Sequence, residues 1–104
     1  MTSFVDIKPN IKPLIATLHS VLGEENITIE YIKNDVLYVR YSNGLVTSSI
    51  DVKCYYPYYV SQNGVYHNGR PVRRCYNSYP TSMDAICEEV RRYGEMLRDV
   101  VDAV

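Results

Sequence analysis

The chain contains 104 residues, of which 46% are hydrophobic, and it has a formal net charge of −1 at pH 7. This length and composition predict a single domain, residues 1–104, around one hydrophobic core. The sequence lacks the run of about 18 apolar residues that a membrane span needs, and it lacks the basic and apolar regions of a signal peptide. We therefore expect a soluble, cytoplasmic protein that does not enter a membrane.

Apolar residues at helical spacing predict an N-terminal helix over about residues 11–22, with Asn10 as its cap and Gly23 at its end. Alternating apolar residues then predict strands over about residues 27–32, 36–42 and 45–55. The first turn falls at residues 33–35. The second falls at Asn43-Gly44, where a two-residue turn pairs Tyr41 with Val46 and Val39 with Ser48.

A long apolar stripe predicts a second helix over about residues 82–103. One face of the three strands is apolar and the other is polar, so both helices are expected to cover the same face. The predicted fold class is α+β: an antiparallel β-meander of three strands packed on one face by an N-terminal helix and a long C-terminal helix. A further short hairpin around Asn68-Gly69 raises the number of strands to five.

Residues 52–83 contain no acidic residue, seven of the eleven tyrosines, and four basic residues, Lys53, Arg70, Arg73 and Arg74. The rest of the chain consequently has a net charge of −5. Turn signals at Asn63-Gly64 and Asn68-Gly69, together with three prolines, predict an irregular conformation for the centre of this stretch, residues 55–79. We call residues 55–79 the Tyr/Arg segment.

The composition of the Tyr/Arg segment is typical of a recognition surface. Tyrosine offers a large amphipathic face at a low entropic cost, and arginine adds planar donors that stack on aromatic rings. For any single tyrosine, a place in a strand against the core is an equally good interpretation. The residues predicted to bind a partner are Tyr58, Tyr59, Tyr66, His67, Arg70, Arg73, Arg74, Tyr76 and Tyr79.

Motifs for catalysis or metal binding are missing from the sequence. Cys54, Cys75 and Cys87 form no C-x-x-C pair and have no histidine at metal-ligand spacing, so we expect reduced thiols, no metal site and no cofactor. His67 and Cys75 are the one combination with the chemistry of a base and a nucleophile, and we consider it the weaker interpretation. We expect no catalytic residues and no enzymatic activity.

The favoured hypothesis is a small non-enzymatic protein-binding module that uses the Tyr/Arg segment as its contact face. Its size and character suggest an inhibitor or adaptor from a mobile element such as a virus or phage. The alternative is binding of single-stranded nucleic acid or a nucleotide, with tyrosines stacking on bases and arginines meeting phosphates. A further alternative is a homodimeric structural protein that associates through the C-terminal helix.

Overall fold

The computed structural model describes residues 11–32 and 36–104. The predicted cap at Asn10 and the predicted turn at residues 33–35 lie outside the described residues. The two helices are α1 (Lys12–Leu22) and α2 (Met83–Ala103). The strands are β1 (Ile27–Ile32), β2 (Val36–Ser42), β3 (Val46–Lys53), β4 (Tyr59–His67), β5 (Arg70–Arg73) and β6 (Tyr76–Ser78).

All six strands belong to one antiparallel sheet with the order β1-β2-β3-β4-β5. The long strand β4 pairs with β5 along its second half and with β6 along its first half. β5 and β6 therefore form one edge strand that is interrupted at Arg74 and Cys75. The predicted α+β fold, with two helices on an antiparallel sheet, is confirmed, and the sheet is wider than the three-strand minimum.

The turn between β2 and β3 is centred one residue later than predicted. Gly44 has φ 93° and Leu45 takes the second central position, as in a type II′ turn. The side-chain oxygen Oδ1 of Asn43 accepts hydrogen bonds from the backbone N–H groups of Leu45 at 2.9 Å and Val46 at 2.8 Å, which holds Asn43 outside the turn centre. The predicted register was therefore wrong by two residues.

The observed register pairs Tyr41 with Ser48 and Val39 with Ile50. A shift of two residues keeps every side chain on its predicted face, because side chains alternate with a period of two. The error in pairing therefore does not change which residues are predicted on the apolar face and which on the polar face.

The Tyr/Arg segment is largely regular, whereas the sequence predicted an irregular conformation. Asn68 and Gly69 have φ values of 51° and 80°, and they form the predicted hairpin turn between β4 and β5. Asn63-Gly64, predicted to be a turn, instead forms a β-bulge inside β4, where Gly64 has φ 88°. Pro71 is tolerated because β5 is an edge strand.

Both helices cover the same face of the sheet and share one core with it. Helix α2 contributes Ile86, Val90, Tyr93 and Leu97, all of which are buried. Val100 and Val101 are partly buried against the same core, so the apolar stripe of α2 is used within the chain. Val104, which follows the last residue of α2, is exposed.

Candidate binding surface on the open face of the sheet

The face of the sheet opposite the helices is uncovered, and we call it the open face. Cross-strand pairing defines it, because residues paired directly across neighbouring strands lie on the same face. Its side chains on β2, β3 and β4 are three tyrosines, two cations, one carboxylate, one valine and small polar groups. They are Val36, Tyr38, Arg40, Ser42, Thr47, Ser49, Asp51, Lys53, Tyr59, Ser61, Asn63 and Tyr66.

A central depression of about 210 Å³ lies on the open face. It is lined by Tyr38, Arg40, Thr47, Ser49, Asn63 and Tyr66. The guanidinium carbon of Arg40 lies 5.5 Å from the ring centroid of Tyr38, within cation–π distance. Asn63 donates a hydrogen bond to the hydroxyl of Ser49 at 3.1 Å, which links the bulge of β4 to β3. Four side chains that line the depression are therefore positioned by contacts with each other: Arg40 with Tyr38, and Asn63 with Ser49.

A second hollow of about 420 Å³ lies at the β5–β6 edge, and we call it the edge hollow. Its lining combines apolar, cationic and thiol groups. The lining residues are Tyr66, Pro71, Val72, Arg73, Arg74 and Cys75. Tyr66 lines both the central depression and the edge hollow and is 37% exposed, so its side chain separates them.

The position of Tyr66 depends on the bulge at Gly64. A Cβ atom added at Gly64 would lie 3.4 Å from Cε1 of Tyr66 and 3.2 Å from the carbonyl oxygen of Arg73. Ser48 donates a hydrogen bond to the carbonyl oxygen of Gly64 at 2.7 Å, and Tyr93 of α2 donates one to the hydroxyl of Ser48 at 2.7 Å. A buried chain of hydrogen bonds thus connects α2 to the backbone beside Tyr66.

Asp51 lies in the middle of the open face, between Tyr38 on β2 and Ser61 on β4. Its oxygen Oδ1 is buried and has no hydrogen-bond partner among the described residues. Burial raises the pKa of the Asp51 carboxyl, and a hydrogen bond with Asn63 opposes the rise. Asp51 is therefore an acidic group of the open face in a setting that disfavours its charge.

The nine predicted contact residues do not form one patch. Tyr59 and Tyr66 lie on the open face, and Arg74 lies between β5 and β6 in the edge hollow. Four more, His67, Arg70, Arg73 and Tyr76, pair with residues whose side chains face the helix side of the sheet. His67 is half-buried, whereas Arg70, Arg73 and Tyr76 are exposed at the edge. Arg73 also lines the edge hollow.

Tyr58 and Tyr79 lie at the end of the sheet where β3 leads into β4. Tyr58 is partly buried against the core, and its ring meets that of Tyr56 edge-on at 6.1 Å between centroids. Tyr79 is 75% exposed on the connection to α2. Tyr58 therefore has a packing role in the protein, whereas Tyr79 is available for contact but distant in the sheet from Tyr66.

The exposed arginines fall into two groups. On α2, Arg91 is paired with Glu88 and, at 2.8 Å, with Glu95, and Arg92 approaches Glu88 at 3.4 Å. In contrast, no carboxylate of the described residues lies within 4.0 Å of the guanidinium groups of Arg70, Arg73 or Arg74, all of which are exposed. The charges of Arg91 and Arg92 are compensated within α2, whereas those of Arg70, Arg73 and Arg74 are not. The exposed Arg40 and Arg98 also have no ion-pair partner among the described residues.

Cys75 and His67 are separated by the register of the sheet. Cys75 lies opposite the bulge at Asn63-Gly64, and His67 lies about three residues farther along β4. At the rise of an extended strand, this is a separation of about 10 Å. The two side chains therefore do not form a nucleophile and base within hydrogen-bond distance.

No group of three or more His, Cys, Asp or Glu side chains in residues 11–32 and 36–104 is arranged to hold a metal ion. Neither α1 nor α2 is long and apolar enough to cross a membrane.

Sequence reasoning missed Tyr38 and Arg40 as parts of the candidate surface. Both precede the acid-free stretch, residues 52–83, on whose composition the prediction was based. No protein-family model, curated protein or solved structure matches the chain.

Proposed function

We propose that the protein is a non-enzymatic protein-binding module whose contact surface is the open face of the sheet, centred on Tyr66. The observation that carries this proposal is the position of Tyr66 between the central depression and the edge hollow, on the one face of the sheet that the helices leave uncovered. An antiparallel sheet commonly leaves one face in water, and such a face is usually polar with little aromatic area. The open face of this protein differs from such a polar face because it carries three tyrosines, Tyr38, Tyr59 and Tyr66.

The composition of the open face supports protein recognition. Tyrosine and arginine are enriched among the residues that dominate binding energy at protein interfaces. The surrounding side chains of Thr47, Ser49 and Ser61 are small and can adapt their hydrogen bonds to a partner. The contact between Arg40 and Tyr38 reduces the number of side-chain conformations that binding must order. As an inhibitor or adaptor, the module would act by covering a surface of its partner.

The test is an affinity capture from a lysate of the native host with three immobilised proteins. The first is the wild type and the second is Tyr38→Thr with Tyr66→Thr, in which threonine maintains β-propensity. The third, a matched control, is Arg91→Ala with Arg92→Ala on the outer surface of α2. We expect a protein that is retained by the wild type and the control and lost by the tyrosine variant. Equal retention by all three folded proteins contradicts the proposal.

Binding of single-stranded nucleic acid or a nucleotide is the second candidate. The observation that favours it is the side chain of Tyr66 beside the unpaired Arg73 and Arg74, which offers one ring for a base and guanidinium groups for a phosphate. Tyr59 and Tyr66 are separated by roughly 20 Å along β4, so these two rings cannot stack on neighbouring bases. The arrangement therefore suits a mononucleotide better than a strand.

Salt dependence separates the two candidates. Contacts with phosphates weaken steeply as the salt concentration rises, whereas an interface centred on aromatic side chains weakens less. Titration of the protein with a labelled oligothymidylate and with ATP at low salt tests the second candidate. Absence of binding to both probes eliminates it, and the protein-binding proposal is unaffected by that result.

A further inference from the structure

The edge strand formed by β5 and β6 is largely exposed. All four residues of β5 and two of the three in β6 are exposed. Proteins protect such edges against uncontrolled strand pairing with charges, proline and bulges. Pro71 and the irregular pairing between Val65 and Tyr66 provide that protection here.

Edge protection does not account for the other features of this strand. Val72 is 45% exposed and Tyr76 is 58% exposed, although exposed apolar and aromatic groups favour association. Arg73 and Arg74 have no carboxylate partner among the described residues, and the edge hollow lies between them and Tyr66. Apolar surface beside uncompensated arginines at a hollow is typical of a contact site for a group that is both anionic and partly apolar.

We propose that the edge hollow binds an acidic segment of a protein partner, with carboxylates of that segment received by Arg73 and Arg74 and its apolar groups packed against Val72 and Tyr66. This inference rests on the proposed protein-binding function and specifies the chemistry of the partner. A guanidinium group matches a carboxylate with two parallel hydrogen bonds, so the unpaired arginines favour such a ligand by charge and by shape.

Carboxylates fit this edge better than a nucleic-acid backbone does. Three exposed arginines without a carboxylate partner among the described residues lie together on β5 and the residue after it, while the chain outside residues 52–83 has a net charge of −5. A phosphate backbone extending from the edge across the protein would meet that negative charge, whereas a short acidic segment would not.

Cys75 provides a direct reporter for occupancy of the edge hollow. It lines the hollow and is exposed, whereas Cys54 is buried and Cys87 is half-buried. Burial also raises the pKa of the Cys87 thiol, which slows its reaction near neutral pH. Neutral iodoacetamide therefore reacts first with Cys75, and mass spectrometry of peptides measures the rate at that residue.

The experiment uses a short synthetic peptide in which glutamate alternates with leucine. Its controls are the same peptide with glutamine in place of glutamate, and an oligothymidylate of equal charge. We expect the acidic peptide to slow alkylation of Cys75 and the two controls to leave the rate unchanged. Protection by the glutamine peptide, stronger protection by the oligothymidylate, or no protection at all overturns the inference.

Substitution of the arginines provides the second measurement. Arg73→Gln with Arg74→Gln changes two exposed side chains and should leave the fold intact. The loss of two exposed ion pairs predicts about tenfold weaker binding of the acidic peptide, or ~1.4 kcal/mol. The control Arg91→Ala, on the outer surface of α2, should bind like the wild type. Equal peptide affinity for the wild type and the double variant overturns the inference.

These outcomes are distinguishable from a failure of the proposed function. If the captured protein depends on Tyr38 and Tyr66 but the acidic peptide does not protect Cys75, the protein-binding function stands and the acidic ligand is wrong. If the peptide protects Cys75 but no captured protein depends on the two tyrosines, the edge hollow binds acidic groups and the open face is not the contact surface.

Discussion

The substitution Tyr93→Phe tests the buried link between α2 and the candidate surface. Tyr93 is 2% exposed, and its hydroxyl donates to Ser48, which in turn donates to the carbonyl oxygen of Gly64. Phenylalanine preserves the ring but leaves the Ser48 oxygen without its donor. The loss of one buried hydrogen bond predicts a decrease of about 1–1.5 kcal/mol in the free energy of unfolding at pH 7.5. For a domain of this size, that is a decrease in Tm of roughly 4–10 °C.

The same substitution has a predicted pH dependence. Burial raises the pKa of Tyr93 to about 12 from its ordinary value of 10.0. The folded state therefore retains the proton that the unfolded state loses, so the stability from Tyr93 is complete below pH 10 and declines as the pH rises from 10 to 12. At pH 11 the wild type should have lost ~1.4 kcal/mol that the phenylalanine variant cannot lose.

Urea unfolding of both proteins, followed by circular dichroism in the presence of a reductant, measures the difference. We expect the wild type to be more stable at pH 7.5 and 9 and the advantage to vanish near pH 11. An advantage that is constant from pH 7.5 to 11 would refute the assignment of a buried, hydrogen-bonded phenol. A variant as stable as the wild type at pH 7.5 would refute the energetic role of the Ser48 link.

Three further predictions concern the sheet and its core. Gly64→Ala places a Cβ against the carbonyl of Arg73 at a residue with φ 88°, so a decrease of about 1–2 kcal/mol in the free energy of unfolding is expected by urea titration. Asp51→Asn should raise Tm at pH 7, because it removes a charge that burial disfavours. The gain should shrink as the pH is lowered, because the raised pKa lets the wild-type carboxyl take up its proton in the folded state. Leu97→Ala, at a side chain that is 0% exposed, should cost roughly 2–5 kcal/mol by the same titration, and a cost below 1 kcal/mol would contradict its place in the core.

The helices and the first strands follow from local patterns in the sequence. Each helix begins one residue later than predicted and ends at the predicted residue. Strands β1 and β2 were predicted at residues 27–32 and 36–42, where the structure has them. Local periodicity suffices for these elements because each has a continuous apolar stripe or a strict alternation. The register between β2 and β3 was predicted wrongly, because it depends on two hydrogen bonds of the Asn43 side chain.

The candidate surface was less predictable, because it depends on pairing between distant residues. The composition of residues 52–83 marked the arginines and tyrosines but could not show that β4 pairs with both β5 and β6. The bulge at Asn63-Gly64 has the sequence of a turn, and only the neighbouring strands reveal its role. The absence of acidic residues around Arg73 and Arg74 is visible in the sequence, but their place beside Tyr66 at the edge hollow is a property of the folded chain.

The most direct test of the central claim is mapping of amide chemical shifts in the ¹⁵N-labelled protein when a captured partner is added. We predict that the largest changes occur on the open face and the β5 edge, at Thr47, Ser49, Asn63, Tyr66 and Arg73. Residues on the outer surface of α2, such as Arg92 and Asp99, should change little. The largest changes on α2, with an unperturbed open face, would contradict the claim that this face is the contact surface.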